Sequence, residues 1–121
     1  MLYTTYFSKL RSLPDAITPI AICGKSPEGY GGLQYKKLAP KWGFFSQWKK
    51  THDNNYYVKH FDAEVLSPLD PNQVYQELVA LASGNTEIAL VCYESPEKFC
   101  HRHLVRNWFM IGGFPIKEFG T

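Results

Sequence analysis

Apolar and polar positions recur along this chain with two different periods, and each change of period marks an element. Residues 17–23 (ITPIAIC) and 88–93 (IALVCY) are short apolar runs bounded by Gly, Pro, Asn or Ser. Runs of that length and character predict strands covered on both faces. Between them the period is helical: Tyr57, Phe61 and Val65 recur every four residues, as do Val74, Leu78 and Ala82 with Leu81 alongside. Each set forms a single apolar stripe, the face that a helix buries. Asp70 and Pro71 suit the cap and first turn of the second helix, and Gly84 with Asn85 ends it just before the strand.

Downstream, Ser95 and Pro96 suit the N-cap and first turn of a helix expected to run through Trp108 and stop at Gly112 and Gly113. A last extended piece follows at 114–119, and residues 3–7 predict an edge strand. Strands alternating with helices predict one α/β domain over 1–121: a small Rossmann-like three-layer domain, its mostly parallel central sheet flanked by helices. With 121 residues, 45% of them hydrophobic, the chain has material for one core and not for two. Ligands of such sheets bind beyond the carboxyl ends of the strands, which directs attention to the loops after Cys23 and Tyr93.

Charge narrows the partners. The formal net charge is only +2 with signs well mixed, so a nucleic-acid partner must rest on a local patch. Tyr35, Lys36, Lys37, Lys41, Trp42, Phe44, Phe45, Trp48, Lys49 and Lys50 supply one, a basic and aromatic interleaving suited to phosphates and stacked bases. The same pattern also describes a lysine-decorated surface helix whose aromatics are core. No apolar run approaches the roughly 18 residues of a membrane span, and the opening residues lack the pattern of a secretory signal. A cytoplasmic location and no membrane partner are expected. Three cysteines without such a signal predict reduced thiols, with Cys23 and Cys92 as small buried hydrophobes.

The densest chemistry lies in residues 89–106, ALVCYESPEKFCHRHLVR. Cys100, His101 and Arg102 are expected early in a helix, where the dipole favours anions and thiolates. Cys100 is a candidate nucleophile with His101 as its base, or a packing residue on a stripe with Leu104 and Trp108. Arg102 pairs with Glu94 at the strand end, or grips a ligand carboxylate or phosphate in its planar fork. In the earlier loop, Lys25 supplies a cation, Tyr30 a ring or hydroxyl, and Gly31 close backbone approach, though the spacing is that of no phosphate loop. Cys100 and Arg106 match the C-x5-R spacing of cysteine phosphatases, but HRHLV between them reads as helix. Metal binding can be drawn from Cys92, Cys100, His101 and His103, but 101 and 103 point to different sides of a helix, so a closed zinc site would need partners from elsewhere. No metal and no cofactor are expected.

The chain resembles the domain-of-unknown-function 488 (DUF488) family, small α/β proteins of bacteria and their viruses. The resemblance rests on CYE at Cys92, Tyr93 and Glu94 and CHR at Cys100, His101 and Arg102. Supporting it are LAP at Leu38, Ala39 and Pro40, the Y-x3-F-x3-VL helix that begins at Tyr57, and PLD at Pro68, Leu69 and Asp70. The AICGKSPEGYGG loop resembles the family's compact subgroup, without the arginine that other members carry there. The resemblance implies the fold and a shared site at Glu94, Cys100, His101 and Arg102. The expectation is a nucleotide-like or nucleic-acid-derived anion held by Lys25 and Arg102, with Tyr30, Gly31 and Tyr93 around it and Glu94 accepting a proton. Thiol chemistry at Cys100, binding alone in a protein that sequesters or senses a nucleotide signal, and nucleic-acid binding through the lysine and aromatic segment all remain open, as does the oligomeric state.

Overall fold

In the computed structural model, which describes residues 1–93 and 98–120, the chain runs β1 (Leu2–Tyr6), β2 (Thr18–Ala21), β3 (Leu33–Gln34), α1 (Trp42–Thr51), α2 (Asn54–Phe61), α3 (Pro71–Leu81), β4 (Ile88–Cys92), α4 (His101–Ile111) and β5 (Ile116–Glu118). The strands form one sheet in the order β3-β2-β4-β1-β5, and every pairing is parallel. This is the α/β architecture that the alternation of periods predicts. All five residues of β4 are buried, as a central strand with both faces covered requires.

The N-terminal strand corrects one expectation. Rather than an edge, β1 lies between β4 and β5, with Leu2 opposite both Ile88 and Ile116. Its sequence, LYTTY, hides this position because Thr4 and Thr5 are polar yet fully buried. The edges are instead the two shortest strands, β3 and β5.

The helices of the middle segment follow their caps and stripes. The Asp53 side chain accepts from the Tyr56 amide at the start of α2, and Asp70 from the Gln73 amide at the start of α3. Tyr57, Phe61 and Val65 are buried, the last in a wider π-type turn, Asp62–Leu66, closed by the Ser67 amide donating to the Asp62 carbonyl. Val74, Leu78 and Ala82 are buried along α3, and Gly84 closes that end with φ of 90°, a backbone state open to glycine at little steric cost. Burial of each large apolar side chain in this core contributes about 1.5–3 kcal/mol.

The last helix departs from the expected start. α4 begins at His101 with Cys100 as its cap, Lys98 and Phe99 are not helical, and the expected cap at Ser95 and Pro96 lies outside the described residues. Its buried face is His101, Arg102, Val105 and Phe109, one position round from the Cys100, Leu104, Trp108 stripe. That face packs on β1, β4 and β5.

Candidate functional site

Connections leave the neighbouring strands β2 and β4 in opposite directions: β2 leads outward to β3, while β4 leads through α4 past β1 to β5. Where connections diverge in a parallel sheet, a crevice opens at the carboxyl ends of the strands. A cavity of about 510 Å³ occupies this position. Cys23, Gly24 and Lys25 line it from beyond β2, and Cys92 and Tyr93 from the end of β4.

Two sulfurs and an imidazole form one side of the cavity. Cys92 ends β4 and Cys100 caps α4, and the two are joined by a disulfide. This corrects the expectation of reduced thiols throughout: strand end and helix start converge on the same point, although eight positions separate them in sequence. Cys23 stays a free, buried thiol whose acidity burial suppresses, with the Ser26 hydroxyl 3.9 Å from its sulfur. His101 Nε2 lies 2.7 Å from the Ile22 carbonyl, and since a carbonyl only accepts, this nitrogen carries the proton. Nδ1 is left with its lone pair, 3.4 Å from Cys92 Sγ. Burial first, then the charges of Arg102 and His103, hold His101 down to about 4, against the opposing hydrogen bond to Ile22. The imidazole is therefore neutral near pH 7.

Aromatic rings make up much of the rest of the lining. Trp42, Phe45 and Trp48 of α1, Tyr57 of α2, and Phe99 before α4 all line the cavity. Trp48 is the hub, with ring centroids 5.9 Å from Phe45, 5.3 Å from Tyr57 and 5.7 Å from Phe99. Trp42, Phe45 and Trp48 of the basic and aromatic segment thus share a cavity with the strand-end loops, while the segment's lysines are not among the lining residues. Phe44 turns the other way and is buried in the core, so the segment divides between the two roles that its pattern allows.

The remaining candidates separate. Lys25 and Tyr93 line the cavity, the Tyr93 hydroxyl donating to the Lys25 carbonyl and tying the two loops together. Tyr30 does not line it; its hydroxyl donates to the Leu33 carbonyl and its ring packs edge-on against Phe7. Gly31 is exposed outside the cavity lining. Glu94 lies outside the described residues.

Arg102 is fully buried on the far side of α4's start, its Nε and Nη2 donating to the two carboxylate oxygens of Glu118 at 3.1 and 3.0 Å. Thr4 Oγ1 donates to the same carboxylate at 2.6 Å, and the Tyr6 ring lies under the guanidinium. Its planar fork therefore holds an internal carboxylate, since the helix phase that turns His101 to the cavity turns Arg102 toward β1 and β5. Arg106 is helical and outside the cavity lining, so no phosphatase-type loop wraps Cys100.

Several members of this site escape the sequence reading, Cys23 and Tyr57 among them because both read as core. Cys92 looks like strand core, although its place as the last residue of an apolar run, in the CYE motif, marks it as a strand-end group. Phe99 carries no local signal.

A family model described as the active DUF488-N3 subclade matches residues 8–111. No curated protein and no solved structure matches the chain.

Proposed function

The chain belongs to the DUF488 family, and from that membership and the chemistry of its cavity we propose that it binds a nucleotide-like or nucleic-acid-derived anion there. The observation that carries this reading is the presence of several aromatic rings and a lysine in the lining of one strand-end cavity. Trp42, Phe45, Trp48 and Phe99 offer flat, apolar surface to a heterocyclic ring, and Lys25 offers charge to its phosphate. Stacking on such rings contributes about 1–3 kcal/mol per base and tolerates any base. Trp42 is 71% exposed, so a single-stranded nucleic acid reaches the same wall as a mononucleotide. The Lys49 ammonium lies 5.6 Å from the centre of the Phe45 ring.

The matched subclade is described as active, and chemistry on a bound ligand would start from the reduced cysteine pair. His101 is the base beside Cys92, and Glu94, next in sequence to Tyr93, remains the candidate proton acceptor.

Tryptophan fluorescence tests the binding reading. Titration with nucleoside monophosphates and a short oligonucleotide should quench emission saturably, whereas ribose 5-phosphate, which lacks the ring, should not. Trp42→Ala and Lys25→Ala should each weaken binding roughly tenfold, equivalent to about 1.4 kcal/mol. Nucleotides and oligonucleotide that leave the emission unchanged, or variants that bind as well as the parent, would reject the proposal. For turnover, Cys100→Ala should abolish product formation while keeping affinity.

A further inference from the structure

The group of side chains at the cavity's sulfur side has a donor set of its own. Cys92 Sγ, Cys100 Sγ and a ring nitrogen of His101 all lie within 4.8 Å of one another. Among the described residues no other Cys, His, Asp or Glu joins them. Two thiolates and an imidazole are the soft, nitrogen and sulfur ligands that suit zinc. With bonds of about 2.3 Å to sulfur and 2.0 Å to nitrogen, a tetrahedral zinc sets its sulfur and nitrogen ligands roughly 3.6 Å apart. Cys92 Sγ and His101 Nδ1 already stand at 3.4 Å.

Other features meet what a metal asks of its ligands. The imidazole must offer a lone pair from a fixed tautomer, and Nε2–H on the Ile22 carbonyl imposes it, the outer-shell contact common to metal-bound histidines. The sulfurs must converge, and Cys100 as the cap of α4 stands where Cys92 ends β4. All three residues line the cavity, which leaves a fourth position toward whatever the cavity holds.

We propose that, once the disulfide is reduced, Cys92, Cys100 and His101 Nδ1 bind a zinc-class divalent cation whose fourth position faces the cavity. The balance is simple: a dithiol or phosphine reductant gives two electrons to the disulfide, two protons complete the thiols, and both protons leave as the cation binds. The site is independent of whether the cavity takes a nucleotide.

Metal binding to the intact chain tests this directly. Protein reduced by a phosphine under nitrogen, then cleared of reductant, should take up about one equivalent of Zn²⁺. Co²⁺ in its place should give the intense thiolate-to-metal band of a tetrahedral site. Cys92→Ser and Cys100→Ser should weaken binding by at least the tenfold to hundredfold that loss of an outer partner costs such sites. His101→Gln should do likewise. Three results would overturn the proposal: a disulfide that resists the phosphine in the folded chain, no metal uptake by reduced parent protein, or a cobalt band that survives in the Cys92→Ser/Cys100→Ser variant. The cobalt spectrum is read on the parent chain, so it decides the matter even where a variant fails to fold.

Discussion

Replacing Glu118 by alanine should destabilise this protein far more than loss of a surface carboxylate would. The Glu118 carboxylate accepts both guanidinium contacts at 3.1 and 3.0 Å and the Thr4 hydroxyl at 2.6 Å, with the Arg102 side chain fully shielded from water. Removing one member of a buried pair costs about 3–5 kcal/mol, because the charge left behind keeps its desolvation penalty and loses its attraction. A domain of this size has about 5–15 kcal/mol in total. With a urea slope of about 2 kcal/mol per molar, the unfolding midpoint should fall by about 2 M. Chemical denaturation followed by circular dichroism measures this. Arg102→Met should lose a similar amount, and Arg102→Met with Glu118→Leu should lose less than the two single changes summed, since the attraction between the two is counted in each single loss. A Glu118→Ala loss below about 1 kcal/mol, the range of exposed ion pairs, would refute the assignment of Arg102 to an internal carboxylate.

Acid should weaken the fold through His101. Its pKa falls from 6.5 to about 4 on folding, so between those values the unfolded chain binds a proton that the folded one refuses. Stability is therefore full above pH 6.5 and declines by about 3 kcal/mol as the pH drops toward 4, at about 1.4 kcal/mol per unit. Urea midpoints measured across pH 4–7 should show that decline in the metal-free parent and a flatter profile in His101→Gln; equal slopes would contradict it. At the head of α3, Asp70→Ala removes the acceptor of the Gln73 amide and should lower stability by about 1 kcal/mol in the same assay, with no change in cavity binding.

The helices α2 and α3 and the strands β2 and β4 were legible because the information is local. A period of four residues, an Asp cap and a terminal glycine act within a few turns of chain, and the structure has Val74, Leu78 and Gly84 where those rules put them. The centrality of β1 was not legible. Thr4 is tolerated in the interior by a partner that only the sheet assembles, its hydroxyl meeting a carboxylate from a strand 114 positions away. The α4 stripe was misplaced by one residue because phase depends on where a helix starts.

From the sequence by itself came the fold class, the two loops that flank the cavity and the residue types gathered there. Tertiary structure decided which of them meet. It joined Cys92 to Cys100, turned His101 Nδ1 onto the Cys92 sulfur, gave Arg102 to Glu118 and brought the α1 aromatics into the same cavity lining as Lys25. The physical reason lies in reach: side-chain patterns encode the faces of each element, but a site at a strand crossover is built from chain segments tens of residues apart. Their juxtaposition follows from strand order, and strand order is a property of the whole sheet.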